Sequence, residues 1–223
     1  LYFMPRKRKS NRPFSPSRPL LYFICDPALL RRGSLLDVVK KAVAGGASVV
    51  QLRDKTSDTR GFLIEAQKLA AFLRKKKVPF IVNDRVDVAL ACSADGVHLG
   101  SGDLPIPDAR KLLGAKKIIG ASAHTAAQAI KAEKDGADYI GAGQVFHTAT
   151  KGIKRHPISI GKLAGIHKAV SIPVIAIGGI KPHNAARVME SGVAGIAVVS
   201  GVMSAKEPGN AAMRLAKIIK NKS

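Results

Sequence analysis

Eight short apolar runs, separated by longer stretches with helical periodicity, constrain the fold of this chain most strongly. Each run is a nearly continuous series of apolar residues rather than an alternating one, which is typical of parallel strands buried on both faces. The runs are Leu21–Cys25, Ser48–Leu52, Phe80–Val82, Gly96–Leu99, Ile118–Ala121, Tyr139–Ala142, Val174–Ile177 and Gly195–Val199. We therefore predict eight parallel strands.

Stretches with a period near 3.6 residues lie between these runs. They include Leu35–Val43, Leu63–Leu73, Ala126–Lys134 and Ala185–Glu190. Thr125 and Pro182 are typical helix starts, and Gly136 and Gly192 are typical helix stops. Eight strands that are each followed by a helix predict an α/β fold, a single (β/α)8 TIM barrel with parallel strands and short loops. The structural alternative is a doubly wound open sheet, which the strand count and the lack of a Gly-rich dinucleotide fingerprint disfavour.

The first 19 residues differ in composition from the rest of the chain. They contain six basic residues, no acidic residue and four prolines. We therefore predict a disordered or extended basic arm over residues 1–19 and the catalytic barrel over residues 20–223. Residues 1–3, before Met4, are interpreted as the remnant of an expression tag. The arm could bind nucleic acid or an anionic surface, but a solvated tail without a specific partner is the simpler interpretation.

The composition disfavours several classes of protein. The formal net charge is +22, but aromatic residues make up only 4% of the chain, and single-stranded nucleic-acid binding needs aromatic stacking platforms. A positive field also suits phosphorylated small-molecule substrates. No apolar run reaches the ~18 residues that cross a bilayer. Cys25 and Cys92 are expected to be buried thiols in a reducing cytoplasm. We predict a cytoplasmic protein without membrane contact, and leave homo-oligomer formation open.

Polar residues follow the second strand where active sites of this barrel lie, at the carboxyl end. Alternation along a strand places Gln51, Arg53 and Lys55 on one side. An amide, a guanidinium and an ammonium group suit a ligand that carries phosphates and a polar ring.

Two carboxylates follow the next two strands. Asn83 and Asp84 come directly after the third strand, and Asp103 follows the fourth. Two carboxylates from adjacent strand ends suit Mg²⁺, which keeps several waters and takes substrate phosphates as further ligands. The alternative is that Asp84 caps a helix and Asp103 closes a turn.

The second half of the barrel offers hydroxyl groups, an ammonium group and glycine-rich loops at its strand ends. The loops after strands seven and eight are the habitual phosphate site of this barrel, because backbone N–H groups point at the anion there. The candidate residues of this half are Ser122, His124, His147, Thr148, Thr150, Lys151, Gly179, Val199 and Ser200. Together with the first half, they predict a diphosphate on magnesium and a separate monophosphate. His98 lies within a strand and is interpreted as an interior residue rather than a catalyst.

The strand-end motifs, taken in order, resemble those of the thiamine phosphate synthase family from about Leu20 onward. The motifs are QLRDK (51–55), NDRVDVAL (83–90), DGVHLG (95–100), GASAH (120–124), ADYIGAG (137–143), FHTATK (146–151), PVIAIGGI (173–180) and GIAVVSG (195–201). The resemblance implies a transferase that joins hydroxymethylpyrimidine diphosphate and a thiazole phosphate and releases pyrophosphate. Gln144 and His147 depart from the family pattern, which commonly has Pro at these positions.

The resemblance also implies roles for individual residues. The pyrimidine diphosphate would be held by Gln51, Arg53, Lys55, Asn83, Ser122 and Lys151, and the thiazole phosphate by Thr148, Thr150, Gly179, Val199 and Ser200. Asp84 and Asp103 would bind Mg²⁺, the implied cofactor. The implied catalytic residues, which stabilise charge on the departing pyrophosphate, are Arg53, Lys55, Ser122 and Lys151.

Two other functions are alternatives to this interpretation. A thiazole tautomerase of the same fold would use His124 as its acid–base group and would need no diphosphate site. A nucleic-acid-binding protein that acts through the basic arm would have no use for the strand-end residues. Asp103, Lys151 and the spacing of Gln51, Arg53 and Lys55 favour the synthase.

Overall fold

The computed structural model describes residue 14 and residues 16–148 and 156–221. Eight parallel strands close into a barrel in chain order, with β1 hydrogen-bonded to β8, so the predicted TIM barrel is confirmed. The strands are β1 (Leu20–Cys25), β2 (Val49–Leu52), β3 (Phe80–Asn83), β4 (Gly96–Leu99), β5 (Ile118–Ala123), β6 (Tyr139–Gly143), β7 (Val174–Ile177) and β8 (Gly195–Val198). The helices are α1 (Leu35–Ala44), α2 (Thr59–Lys76), α3 (Val86–Ala91), α4 (Ile106–Leu113), α5 (Ala126–Lys134), α6 (Ile160–Ala169), α7 (Pro182–Met189), α8 (Ser200–Met203) and α9 (Pro208–Lys220).

Helix starts follow local capping chemistry. The side chain of Thr125 accepts a hydrogen bond from the backbone N–H of Gln128, and Pro182 is the first residue of α7, so both predicted starts are confirmed. Helix α2 begins four residues earlier than predicted, because Asp58 caps it by accepting a hydrogen bond from Gly61 N at 2.7 Å. The three residues that open the helix, Thr59, Arg60 and Gly61, are not apolar and therefore carry no apolar periodicity.

The barrel has two separate apolar cores. The larger one lies between the strands and the surrounding helices, and the smaller one fills the barrel interior. Phe14 belongs to the inner core: it is 5% exposed, and its ring centroid lies 4.9 Å from that of Tyr139. Leu20, Ile118 and Tyr139, its partners in that core, are the first residues of their strands. Phe14 therefore closes the amino-terminal end of the barrel.

The predicted arm lies largely outside the described residues. Of residues 1–19, the structure describes Phe14 and residues 16–19. The basic residues 6–12 are therefore not placed, and the arm remains a prediction.

The two cysteines are buried and form no disulfide with each other. Burial raises the pKa of both thiols, so both stay protonated near neutral pH. Neither group is suited to act as a nucleophile.

Within the described ranges, every helix is too short or too polar to cross a bilayer.

Candidate active site

A cavity of about 560 Å³ opens at the carboxyl ends of the strands. Its deep wall is apolar and includes Ile24, Ile175 and Ile177, whereas its mouth is polar. The cavity is lined by most of the residues singled out from the sequence: Gln51, Arg53, Asn83, Ser122, His124, His147, Thr148, Gly179, Val199 and Ser200. The barrel therefore brings these side chains together, while the roles predicted for them remain predictions. Thr150 and Lys151 lie outside the described residues.

The two predicted metal ligands stand at the rim rather than inside the cavity. Asp84 directly follows Asn83, and Asp103 accepts a hydrogen bond from Gly100 N at 2.7 Å; Asn83 and Gly100 both line the cavity. The ammonium group of Lys55 donates to the carboxylate of Asp84. These contacts join the ends of β2, β3 and β4 into one acidic and cationic rim.

The carboxyl groups of Asp84 and Asp103 lie close enough for each to shift the pKa of the other. Burial and the nearby Asp84 carboxylate raise the pKa of Asp103. Burial also acts against ionisation of Asp84, but hydrogen bonds with Asp103 and Lys55 outweigh it and lower the pKa of that group. The opposite pKa shifts of two facing carboxyl groups reflect the repulsion between their negative charges, which a bound cation would relieve. Their oxygen atoms fit a hard divalent ion.

The backbone of Asp84 is strained. Its φ of 63° lies in the left-handed region, which a residue other than glycine enters at a cost, although Asp tolerates it better than most. The turn aims the carboxylate at Lys55 and Asp103 instead of letting it cap a helix. Helix α3 correspondingly has Arg85 at its N-cap and no side-chain capping bond. The alternative that Asp84 caps this helix is therefore wrong. The alternative that Asp103 closes a turn is confirmed, since its carboxylate accepts from Gly100 N and its own N–H donates to Gly100 O.

Arg53 is held by a residue that the sequence analysis missed. Asp26, which directly follows β1 and is 3% exposed, lies 2.5 Å from the guanidinium of Arg53 through its Oδ2 atom. Its other oxygen accepts a hydrogen bond from Ala28 N at 3.0 Å. With both oxygens engaged, Asp26 fixes the direction in which Arg53 enters the cavity. The sequence did contain a signal for this residue, because Asp26 is a carboxylate that directly follows the apolar run of β1.

Asp54, between Arg53 and Lys55, is turned away from the cavity. Its Oδ1 atom accepts hydrogen bonds from the backbone N–H groups of Thr56 and Ser57 at 2.9 and 3.0 Å. Burial acts to raise its pKa, but these hydrogen bonds prevail and the pKa is lowered. The carboxylate therefore shapes the loop that presents Lys55.

Replacing Asp54 by asparagine should lower the free energy of unfolding at pH 7 by about 1 kcal/mol, because a hydrogen bond to a charged acceptor is stronger than one to an amide. A lowered folded-state pKa contributes stability above the unfolded value of about 3.9, and this stability is lost as pH falls through the folded value. Urea unfolding at pH 7 and pH 3 should show the difference between Asp54→Asn and wild type shrinking in acid.

The control for this variant is Asp108→Asn, at an exposed ion pair with Lys111. Exposed pairs of this kind contribute little, so the control should stay close to wild type at both pH values. A difference for Asp54→Asn that persists at pH 3 would contradict the assignment.

A buried set of hydrogen bonds lies beneath the cavity mouth. The hydroxyls of Tyr22 and Tyr139 are 2.7 Å apart, and Gln51 Nε2 donates to Tyr22 at 2.9 Å. His98 Nδ1 lies 3.0 Å from the Tyr139 hydroxyl, and His98 Nε2 lies 2.9 Å from Ser122 Oγ. His98 also lines the cavity, which the sequence analysis did not anticipate.

His124, the residue on which the tautomerase alternative depends, also lines the cavity. Its Nδ1 atom contacts the carbonyl oxygen of Gly143, so that nitrogen carries the hydrogen and donates it to the backbone.

Within residues 14, 16–148 and 156–221, the structure contains no cluster of three or more His, Cys, Asp or Glu side chains that could hold a metal. A site built on Asp84 and Asp103 would thus supply two protein carboxylates and leave the other coordination positions to water and ligand oxygens. This donor set fits Mg²⁺ and does not fit zinc or iron, which take imidazole and thiolate ligands.

Comparison with known proteins identifies the family of the chain. The family described as thiamine monophosphate synthase matches residues 21–202. A thiamine-phosphate synthase of Clostridium acetobutylicum is 43% identical over 91% of this chain and 96% of its own length, and one of Chloroflexus aurantiacus is 48% identical over 89% and 92%. A solved thiamine phosphate pyrophosphorylase from Pyrococcus furiosus superposes with a TM-score of 0.82 at 40% identity, covering 91% of this chain and 96% of that one. The chain therefore belongs to the thiamine monophosphate synthase family.

Proposed function

We propose that the chain carries out its reaction in the cavity at the barrel mouth, with Mg²⁺ held by Asp84 and Asp103. Its activity is that of a thiamine phosphate synthase, a transferase acting on small phosphorylated substrates. It joins hydroxymethylpyrimidine diphosphate to hydroxyethylthiazole phosphate and produces thiamine phosphate and pyrophosphate. The observation that carries the metal assignment is the pair of facing carboxylates beside Lys55.

The diphosphate would bind between the rim and the deep wall. Mg²⁺ on the two carboxylates would supply Lewis-acid stabilisation of a leaving diphosphate. Arg53, fixed by Asp26, would meet phosphate oxygens with its guanidinium fork, and Lys55 would contribute a point charge. The further residues proposed for this substrate are Gln51, Asn83, Ser122 and Lys151.

The thiazole phosphate would bind on the opposite side of the cavity. Gly179 and Ser200 line that side, and the backbone N–H groups of such loops suit a monophosphate. The φ values of Gly178 and Gly179 are 106° and 65°, so this turn requires glycine. The residues proposed here are Thr148, Thr150, Gly179, Val199 and Ser200.

The reaction needs no protein nucleophile and no proton transfer. The bond between the pyrimidine methylene carbon and the diphosphate oxygen breaks, and its electron pair leaves with pyrophosphate. The thiazole nitrogen then donates its lone pair to that carbon, which forms the C–N bond and a thiazolium cation. The protein contributes position and charge stabilisation on the leaving group. This agrees with two protonated, buried cysteines that offer no nucleophile.

A thiazole tautomerase is the second candidate, and His124 is the residue that would carry it. Nothing in that reaction would require the rim formed by Lys55, Asp84 and Asp103, or the hold of Asp26 on Arg53. We therefore place the synthase first. A cytoplasmic location belongs to the same proposal, supported by the two buried cysteines, which form no disulfide with each other.

The proposed function is tested by measuring pyrophosphate release with both substrates, in Mg²⁺ and in excess EDTA. Turnover should require both substrates and the metal, with EDTA lowering the rate on the order of 10²-fold or more, since charge on the leaving group is then poorly stabilised. Restoring Mg²⁺ should restore the rate. Undiminished activity in EDTA would overturn the metal assignment, and turnover of a thiazole substrate alone would favour the tautomerase.

A further inference from the structure

The buried hydrogen bonds beneath the cavity connect five strands in an unbroken line. Starting at β2, they run from Gln51 to Tyr22 on β1, to Tyr139 on β6, to His98 on β4 and to Ser122 on β5. Each heavy-atom separation lies between 2.7 and 3.0 Å. Gln51 is 2% exposed, Tyr22 2% and Tyr139 1%, so their polar atoms depend on one another rather than on bulk water.

Which group donates in each of these hydrogen bonds follows from which atoms carry hydrogen. Within the described ranges, the hydroxyl of Tyr22 contacts the amide nitrogen of Gln51 and the hydroxyl of Tyr139. An amide N–H can only donate, so the hydroxyl hydrogen of Tyr22 must go to Tyr139. The hydroxyl of Tyr139 then accepts from Tyr22 and donates its own hydrogen to His98 Nδ1.

This direction fixes the tautomer of His98. Because Nδ1 accepts, the hydrogen of the neutral ring lies on Nε2 and is donated to Ser122 Oγ. Because Nε2 of His98 already carries a hydrogen, the hydroxyl of Ser122 cannot donate to it. The hydroxyl hydrogen of Ser122 therefore points into the cavity, which Ser122 lines.

The opposite arrangements are unfavourable. If His98 Nδ1 carried the hydrogen, Tyr139 would donate to Tyr22, and the buried hydroxyl hydrogen of Tyr22 would lose its acceptor among the described residues. Ser122 would then donate to His98 and present only lone pairs to an anion. If both ring nitrogens of His98 carried hydrogen, the hydroxyl of Tyr139 would accept from both His98 and Tyr22. Its own hydrogen would then have no acceptor among the described residues.

We infer that Gln51, Tyr22, Tyr139 and His98 act as a one-directional hydrogen-bond chain that holds the Ser122 hydroxyl as a donor to a phosphate oxygen of the bound diphosphate. The inference rests on the proposed function for its ligand, but not for its direction. Tyr139 and His98 are positioning residues in this scheme. The hydrogen bond from Ser122 to the phosphate oxygen becomes stronger as negative charge develops on the leaving group. Because it is strongest in the transition state, the chain affects kcat more than KM.

The direction of the chain is tested without substrate. The ¹⁵N chemical shifts of a histidine ring separate a nitrogen that carries hydrogen from one that does not, and the His98 signals are those that disappear in His98→Gln. We expect hydrogen on Nε2 and none on Nδ1 in the wild-type protein. In Tyr139→Phe, which keeps the buried ring but removes the hydroxyl, the two tautomers should become mixed. Hydrogen on Nδ1, or on both nitrogens, in the wild-type protein overturns the inference.

The link to catalysis is tested by a double-mutant cycle. Tyr139→Phe should lower kcat on the order of tenfold with KM changed little, and Ser122→Ala should lower it on the order of 10²-fold. In the Ser122→Ala background, Tyr139→Phe should have little further effect, because it acts through Ser122. Equal effects of Tyr139→Phe in both backgrounds would show a merely structural role and overturn the link.

The matched control for serine truncation is Ser191→Ala. Ser191 is also buried, and its hydroxyl donates to the carbonyl of Val188 far from the cavity, so kcat should be unchanged.

If the wild-type protein failed to release pyrophosphate from the two substrates, the proposed function would fall, while the ring-nitrogen measurement would still decide the direction of the chain.

Discussion

Replacing Asp84 by alanine is expected to lower kcat for pyrophosphate release on the order of 10³-fold at a fixed Mg²⁺ concentration. The substitution removes one of two proposed protein ligands to the metal and leaves Lys55 without its partner carboxylate. Preorganised charges at a developing anion commonly contribute a factor on the order of 10²–10³ each. Initial rates measured across a Mg²⁺ titration should show a weaker apparent affinity for the metal as well as the lower kcat.

The backbone at position 84 calls for a second variant. Alanine tolerates a φ of 63° less well than aspartate does, so part of the loss in Asp84→Ala could come from a disturbed turn. Asparagine tolerates this region and keeps the shape of the side chain, but it removes the charge. Asp84→Asn is therefore expected to keep the folded turn, which circular dichroism of the native state checks, and still to lose most of its activity. Near-normal activity of this variant would remove Asp84 from the metal site.

The matched control for loss of charge is Asp87→Asn. Asp87 lies three residues further along the chain, is largely exposed and pairs with Arg85. Its replacement should leave kcat and the Mg²⁺ dependence close to those of the wild type. A parallel loss of activity in this variant would mean that general charge near α3, rather than coordination by Asp84, supports the reaction.

Replacing Gly120 by alanine is expected to lower the free energy of unfolding by about 3 kcal/mol, near the upper end of the usual penalty for overpacking a rigid core. A Cβ atom at this position would lie 2.0 Å from Cζ and 2.4 Å from the hydroxyl oxygen of Tyr139. The ring cannot retreat, because Phe14, Tyr22 and His98 pack around it. Urea or guanidinium unfolding followed by circular dichroism measures the change.

Gly165→Ala serves as the control for glycine substitution. Gly165 lies in helix α6, and an added Cβ would meet nothing within 4 Å. Alanine should therefore stabilise the protein by up to about 1 kcal/mol through its higher helix propensity. An unchanged stability of Gly120→Ala would mean that the Tyr139 ring has room to move, which would also weaken the case for a fixed hydrogen-bond chain.

The strand pattern and much of the cavity could be predicted from the sequence because both depend on local signals. A parallel strand buried on both faces is a continuous apolar run, and barrel closure brings the residues after every run to one end. Arg53, Asn83 and Ser122 were found in this way, and all three line the cavity.

The interior contacts could not be predicted because they join strands that are distant in sequence. Tyr22 and Tyr139 are separated by 117 residues, and their hydroxyls meet only when the barrel has closed in the observed register. His98 looked like an ordinary interior residue because its partner Ser122 lies 24 residues away on the next strand. Asp26 was missed because its importance depends on Arg53 of the neighbouring strand.

Phe14 gives the basic, proline-rich amino-terminal segment a structural role, because it packs into the end of the barrel. This role limits how far the protein can be shortened. A truncation that starts at Leu20 would remove the basic residues. It would also remove Phe14 from the amino-terminal end of the barrel and expose the ring of Tyr139 to water. A truncation that starts just before Phe14 would remove most of the same positive charge and leave Phe14 in place. For crystallisation or spectroscopy, the useful cut therefore lies on the amino-terminal side of Phe14.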